Sequence, residues 1–316
     1  MFEDSLSLLD ISGKLQVFYY GAFIALGLIL MLLAAFLLRR RHHVSSDTVL
    51  LYGVISLPCA LVCSRLLFCA LDFNFHSVFS LRAVFSFWGG GFSMVGALLG
   101  FVLGAYITGR IAKVCSLKIL DTAVIGILLF IACARLGEPY TELLGRSRPL
   151  IGESFKNSFL AIGDDYDSYL RTYALQSVSC LLIAAVLFIF GKKERKSGDT
   201  LLLAMLLLGC AETLFYSLRF DAHMRRSFIS MQQLLFAAIM AVPLILFALR
   251  YGKKLGNKKP LILSIGILLL AIVVAVVLEF MIDRSGVSRI LLYAIYVLIL
   301  VLPAAAGCIF YKRSHV

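Results

Sequence analysis

The stretch that decides the fold runs over residues 119–146 and reads ILDTAVIGILLFIACARLGEPYTELLGR. Its first part, residues 119–137, is an apolar run close to the ~20 residues that a helix needs to cross the hydrocarbon core of a bilayer. Charged residues gather at the end of this run and just after it, at Arg135, Glu138 and Glu142. Charged groups at the rim of a bilayer are costly and mark functional positions. The stretch therefore predicts a transmembrane helix whose end carries chemistry.

The composition extends this prediction to the whole chain. Of its 316 residues, 61% are hydrophobic and 15% are charged, and the mean hydropathy is +0.96. These values exclude a soluble globular protein and indicate an all-α, polytopic membrane protein. We predict nine transmembrane helices, at about 16–38, 49–71, 92–109, 119–137, 172–190, 200–218, 230–249, 261–280 and 289–310.

Lysine and arginine are distributed unevenly between the predicted loops. Most of them fall in alternate loops, at about 39–41, 110–118, 192–196, 250–259 and 312–313. Because positively charged loops stay in the cytoplasm, we predict an N-terminus outside and a C-terminus in the cytoplasm. Such orientation signals also explain the net charge of +12, so we expect no nucleic-acid partner.

The sequence gives no sign of a metal or another cofactor. The eight cysteines lie almost entirely in apolar runs and form no CxxC pair, which indicates buried thiols rather than disulfides or a metal site. The acidic run Asp164, Asp165 and Asp167 lacks the spacing and the closing glutamate of a calcium loop. We expect neither metal nor cofactor.

Three arginines lie within or at the ends of predicted spans. Arg65, Arg135 and Arg219 fall toward the predicted outer ends of the second, fourth and sixth spans. A single arginine near a helix end is explained by snorkelling to the interface. Three at the same depth favour an anion site, because guanidinium binds phosphate with a bidentate fork and phospholipid phosphates lie at that depth.

The sixth span places three polar groups on one helical face. Glu212, Tyr216 and Arg219 are spaced i, i+4 and i+7. Glu212 lies about two turns, on the order of 10 Å, below the outer end. A carboxylate at that depth must pair or become protonated, and the membrane arginines are its expected partners. Structural ion pairing and a functional role both fit this pattern.

Several stretches together resemble the prolipoprotein diacylglyceryl transferase family. They are VFYYGAFIALGLIL at 17–30, SRLLF at 64–68, FWGGGFSMVGALLG at 87–100, ARLGEPYTELLGR at 134–146, SLRFD at 217–221 and ISMQQLLFAAIMAV at 229–242. The resemblance implies a transferase-like domain at 1–250 with an extracytoplasmic loop at about 138–171. Residues 251–316 then form two additional helices and a cytoplasmic tail.

The resemblance also implies roles for particular residues. Members of the family move diacylglyceryl from phosphatidylglycerol to the lipobox cysteine of exported prolipoproteins in the bacterial plasma membrane. When the family's roles are carried over to this chain, the positions expected to be catalytic are Tyr20, Arg135, Glu138 and Glu142. The positions expected to bind the phospholipid headgroup are Arg65, Gly96, Arg135, Gly145, Gln176 and Arg219. The glycines in this set fit close helix packing as well as ligand contact.

The chain departs from the family pattern at several of these positions. Val95 stands where the family has histidine, Glu138 where it has asparagine, and Glu212 and Tyr216 where it has arginine and glutamate. Tyr173 likewise occupies a histidine position. Two hypotheses remain open: a diverged transferase, with a carboxylate as general base, or a non-catalytic relative that binds phospholipid or lipoprotein. A transporter is the weaker third hypothesis, since no inverted repeat is visible.

Overall fold

The structure is a computed structural model of the full chain. It describes residues 7–11, 15–71, 84–85, 91–140, 146–148, 159–163, 168–190, 196–219, 225–226 and 229–315. Two predicted site residues, Glu142 and Gly145, lie outside the described residues, as does the acidic run at 164–167.

Helices dominate the described part of the chain. They are α1 (Tyr19–Leu38), α2 (Ser46–Leu71), α3 (Met94–Ala112), α4 (Ser116–Gly137), α5 (Thr172–Phe190), α6 (Asp199–Leu218), α7 (Met231–Leu255), α8 (Lys259–Arg284) and α9 (Arg289–His315). Within the described residues, these nine helices are long and apolar enough to cross a membrane. The prediction of an all-α, polytopic membrane protein is confirmed. The division at residue 250 stays a prediction, and α7 continues past it to Leu255.

Short antiparallel hairpins precede three of the helices. β1 (Ser7–Ile11) pairs with β2 (Leu15–Phe18), β3 (Ala161–Gly163) with β4 (Ser168–Leu170), and β5 (Arg225–Arg226) with β6 (Ile229–Ser230). The first span was predicted to start at residue 16, but β2 occupies that position and α1 begins at Tyr19. In each hairpin the second strand leads almost directly into a helix, α1, α5 or α7. We call this end of the bundle, where the odd-numbered helices begin, the polar end.

Helices α4 and α6 form the centre of the bundle. α4 packs against α1 and α5, and α6 packs against α5, α7 and α9, while α8 packs against α7 and α9. Side chains such as Ala123 and Leu128 on α4, and Leu206 on α6, are almost completely buried. Because lipid surrounds the bundle, van der Waals packing between the helices stabilises this centre. The two central helices therefore hold polar side chains away from lipid.

A stripe of glycines brings α3 onto α2. Gly96, Gly100 and Gly104 recur every four residues on α3 and face the backbone of α2. A Cβ added at Gly96 would lie 2.6 Å from the carbonyl oxygen of Cys63 and 2.7 Å from the Cα of Ser64. Small residues at this spacing let two helix backbones approach closely. Helix packing therefore accounts for Gly96.

Candidate functional site

The end of α4 turns Arg135 and Glu138 into the interior of the protein. The α-helix ends at Gly137, and a short 3₁₀ helix, Glu138–Tyr140, follows it. A Cβ at Gly137 would lie 2.9 Å from the Cβ of Phe23 and 3.0 Å from the ring of Tyr20, so glycine lets α1 approach. The turn then folds inward, which leaves Arg135 and Glu138 only 6% and 8% exposed.

Glu138 connects two arginines. Arg135 donates a hydrogen bond from Nη1 to Glu138 Oε1. Arg219, at the end of α6, donates from Nη1 to both oxygens of Glu138, at 3.0 and 2.8 Å. Hydrogen bonds between ionised groups are about twice as strong as neutral ones. The carboxylate that replaces the family's asparagine therefore fixes both guanidiniums.

The second guanidinium nitrogen of Arg135 reaches α6. Nη2 donates to the hydroxyl oxygen of Tyr216 at 3.1 Å and to Glu212 Oε2 at 3.4 Å. Gln176, on α5, donates from Nε2 to the same Glu212 oxygen at 2.7 Å and accepts from Arg219 Nη1 at 3.0 Å. Helices α4, α5 and α6 are thus joined by one network. We call its members the polar cluster: Arg135, Glu138, Gln176, Glu212, Tyr216 and Arg219.

Glu212 differs from Glu138, the other acid of the polar cluster, in the number of its oxygens that accept hydrogen bonds. Its side chain is fully buried, and its Oε1 has no hydrogen-bond partner among the described residues. Buried carboxylate oxygens are usually paired, because an unpaired one forfeits the free energy of hydration. The polar cluster therefore contains one buried carboxylate oxygen that accepts no hydrogen bond from the described residues.

The charges within the polar cluster balance. Two arginines face two carboxylates, with Arg135 within ion-pair distance of both acids. Tyr20, at the start of α1, lies beside Gly137 and interacts electrostatically with Glu138, Arg135 and Arg219. An anion bound at these guanidiniums would lie beside Glu138, to which both of them already donate.

Three other predicted site residues lie apart from the polar cluster. Arg65 donates from Nη1 to the Gly91 carbonyl at 3.0 Å and from Nε to the Val84 carbonyl at 3.3 Å. Gly96 lies in the α2–α3 contact described above. Val95 is buried among apolar side chains of α3, α4, α6 and α7, beside a cavity of about 110 Å³. The described contacts of Arg65 organise the segment before α3.

Two residues that have no signal in the sequence, Ser147 and Arg148, hold the backbone of Arg219 and the end of α6 in place. The backbone of Ser147 forms an antiparallel bridge with that of Arg219, and the Arg148 N–H donates to the Leu218 carbonyl at 2.9 Å. Ser147 is fully buried and its hydroxyl accepts from the Leu170 N–H at 2.7 Å. No local pattern signals this pairing, because the two segments are far apart in the sequence.

Comparisons with known proteins agree with the resemblance seen in the sequence. The family described as prolipoprotein diacylglyceryl transferase matches residues 7–249. A Clostridioides difficile protein named phosphatidylglycerol–prolipoprotein diacylglyceryl transferase is 26% identical over 214 residues, 66% of this chain and 82% of the relative. A Bacillus licheniformis protein of the same name is 26% identical over 243 residues, which cover 75% of this chain and 87% of the relative.

A third similar protein, from Dehalococcoides mccartyi, carries that name and is 33% identical over 126 residues, 40% of this chain and 47% of the relative. The family match ends at residue 249, inside α7, so α8 and α9 lie beyond it. The helices identify a multi-pass membrane protein. Together with the extent of the match, they show that the chain belongs to the prolipoprotein diacylglyceryl transferase family.

Proposed function

We propose that this protein transfers diacylglyceryl from phosphatidylglycerol to the cysteine thiol of an exported prolipoprotein, at the outer face of the bacterial plasma membrane. Membership of the family supports the reaction class. The observation that carries the proposal is the convergence at the polar end of Arg135, Arg219 and Glu212, a carboxylate whose Oε1 accepts no hydrogen bond from the described part of the chain. These are the groups that a phosphate leaving group and a thiol nucleophile require.

The reaction exchanges one bond for another at a glycerol carbon. The thiol sulfur attacks the carbon of the diacylglyceryl group that bears the phosphate oxygen, and a sulfur–carbon bond forms. The carbon–oxygen bond to phosphate breaks, and glycerol phosphate leaves with the bonding electrons. The thiol loses its proton to a base, because the thiolate is the better nucleophile.

We assign the proton transfer to Glu212. Its Oε1 takes no hydrogen bond from the described residues, whereas both oxygens of Glu138 accept from arginine. A general base must reach the proton that it removes, and an oxygen already engaged by guanidinium is a weaker acceptor. In this proposal Glu138 therefore fixes the two arginines, and Glu212 takes the proton.

Arg135 and Arg219 bind the phosphate of the phospholipid headgroup. Each has its guanidinium in a buried polar environment, where charge stabilisation is stronger than in water. Both guanidiniums also bond to Glu138, and the negative charge that builds up on phosphate as the carbon–oxygen bond breaks strengthens its interaction with them. That difference between substrate and transition state is what accelerates a reaction.

A second function, phospholipid or lipoprotein binding without transfer, is favoured by one observation. The two acids that stand in place of the family's asparagine and arginine, Glu138 and Glu212, neutralise the arginines of the polar cluster. A neutral cluster binds a phosphate more weakly than a cationic one. The experiment below separates this function from catalysis.

The test is complementation of a bacterium depleted of its own transferase, scored by lipidation of a lipobox reporter. We expect the unaltered chain to lipidate the reporter and Glu212→Gln to lose that ability. Asp199→Asn is the matched control, because Asp199 is a buried acid on the same helix, paired with Arg250 at the opposite end of the bundle. A folded, inserted protein that leaves the reporter unmodified would overturn the transferase proposal, and binding of phosphatidylglycerol by that same protein would support the binding function.

A further inference from the structure

A second buried polar network joins the two C-terminal helices to the rest of the protein. Gln233, on α7, donates from Nε2 to Glu279 Oε1 on α8 at 2.6 Å and to the Tyr296 hydroxyl on α9 at 2.7 Å. Arg148 donates to Asp283 on α8 at 2.7 Å and lies 3.9 Å from Glu279 Oε2. We call these residues the C-terminal latch: Arg148, Gln233, Glu279, Asp283 and Tyr296.

Burial makes the C-terminal latch energetically important. Arg148, Gln233, Glu279 and Tyr296 are each at least nine-tenths buried. A buried charge is tolerated only with a partner, so Arg148 is held to the acids of α8. The latch shares no residue with the polar cluster. Its residues on α8 and α9, Glu279, Asp283 and Tyr296, lie beyond the residues that the family match covers.

The latch reaches the polar cluster through the end of α6. The last carbonyls of a helix have no partner within it. Here the Leu218 carbonyl accepts from the Arg148 N–H at 2.9 Å, and the Ser217 carbonyl accepts from the Tyr293 hydroxyl of α9 at 3.2 Å. The next residue is Arg219, whose backbone bridges to Ser147. The C-terminal helices therefore complete the end of the helix that carries Arg219.

We propose that α8 and α9 position Arg219, with Arg148, Glu279 and Asp283 as positioning residues. Asp283 and Glu279 hold the side chain of Arg148, and its backbone, with that of Ser147, fixes the end of α6. The guanidinium of Arg219 then meets Glu138 and Gln176 at 2.8–3.0 Å. This inference rests on the proposed function, because positioning matters only when Arg219 binds the departing phosphate.

A purely stabilising role of α8 and α9 predicts a different effect of weakening the latch than the positioning of Arg219 does. If α8 and α9 only stabilise the bundle, a latch variant contains fewer folded molecules, and each folded molecule keeps its kcat and KM. If they position Arg219, the folded molecules have a lower kcat, because misplacing a catalytic group by about 1 Å costs up to ~100-fold in rate. The two roles are separable when activity is measured per folded protein.

The experiment uses the full-length protein in phosphatidylglycerol-containing nanodiscs and compares three variants with the unaltered chain. Asp283→Asn and Glu279→Gln weaken the latch, and Tyr293→Phe removes the hydroxyl that donates to the Ser217 carbonyl without changing a charge. We call these three the latch variants. Asp199→Asn is the control for loss of a buried ion pair elsewhere. The first measurement is hydrogen–deuterium exchange at the Arg148 amide, which donates to the Leu218 carbonyl at the end of α6; this measurement needs no catalytic activity.

The expected result has two parts. Exchange at the Arg148 amide rises in the latch variants and stays unchanged in the control. The kcat for transfer to a lipobox peptide, per folded molecule, falls by roughly 10- to 100-fold in the latch variants. Unchanged exchange, or raised exchange with unaltered kcat, overturns the inference. If the unaltered chain transfers nothing, the proposed function fails, and the positioning role fails with it. Raised exchange in the latch variants would still show that α8 and α9 hold the end of α6.

Discussion

Replacing Glu212 with glutamine tests the assignment of the general base without disturbing the fold. Glutamine has the same shape, and its oxygen can continue to accept from Gln176 and Arg135 in the place of Glu212 Oε2. Its NH₂ group takes the place of Oε1, which receives no hydrogen bond from the described residues. The substitution therefore removes one negative charge and one proton acceptor while the local contacts remain.

Loss of the proton acceptor is expected to lower the rate of transfer, whereas loss of the negative charge is expected to strengthen binding of the phospholipid headgroup. General base catalysis contributes ~10²- to 10⁴-fold, so we expect kcat to fall by at least about 100-fold, or ~2.7 kcal/mol in the barrier. Arg135 Nη2 lies 3.4 Å from Glu212 Oε2. A phosphate bound on the opposite side of the Arg135 guanidinium would therefore be separated from the Glu212 carboxylate by more than this distance. For a separation of ~8 Å and an effective dielectric constant of ~20, removing this repulsion strengthens headgroup binding by about 2 kcal/mol, roughly 30-fold.

The assay is transfer to a lipobox peptide by the purified variant, together with phosphatidylglycerol affinity measured on the same preparation. Asp199→Asn, at the other end of α6, is measured beside it and is expected to match the unaltered chain in both respects. A Glu212→Gln variant with kcat within about threefold of the unaltered chain would refute the base assignment. Weaker binding of phosphatidylglycerol would refute the charge argument.

Three further predictions concern the arginine geometry, the helix packing and the orientation. Arg135→Lys should lower the rate of transfer more than about tenfold, since one ammonium group cannot contact Glu138 and Tyr216 of α6 at the same time. Full activity would contradict the role of the two guanidinium nitrogens. Gly96→Ala should destabilise by about 1–3 kcal/mol in thermal unfolding, because its Cβ meets the backbone of α2, whereas Gly266→Ala, with open space around it, should not. An impermeant maleimide should label Gly286→Cys in intact cells and leave the exposed Cys115 unlabelled; the reverse pattern would invert the predicted topology.

The helices were predictable because the bilayer fixes their length and composition. All nine predicted spans correspond to helices among the described residues. Helical spacing also predicted that Glu212, Tyr216 and Arg219 share a face. Glu212 and Tyr216 both accept from Arg135 Nη2, whereas Arg219 follows the last helical residue, Leu218, and has an extended backbone. These features follow from local periodicity, which a sequence displays directly.

The connections made by Glu138 were not predictable in the same way. Its place between Arg135 and Arg219 depends on the 3₁₀ turn after Gly137 and on the rotation of α6 toward α4. The ends of helices and their relative rotations are set by tertiary packing, which no single segment encodes. The same reason explains why the hairpin strands and the bridge between Ser147 and Arg219 gave no signal in the sequence.

The position of Arg65 shows a related limit. The sequence placed it at the same depth as Arg135 and Arg219, and depth suggested a shared anion site. In the structure it donates to the carbonyls of Val84 and Gly91, and Gly91 has a φ of +75°, a conformation that favours glycine. Depth follows from the topology, but the direction of a long side chain depends on which backbone carbonyls lie nearby. A headgroup role for Arg65 stays a prediction.

The most direct measurement is mass spectrometry of a lipobox peptide incubated with the purified protein in phosphatidylglycerol vesicles. The proposed function predicts that the peptide cysteine gains the mass of one diacylglyceryl group and that glycerol phosphate is released in equal amount. Glu212→Gln should slow both by at least about 100-fold. An unmodified peptide, with the protein folded and phosphatidylglycerol bound, would contradict the transferase proposal and leave lipid binding as the function of the polar cluster.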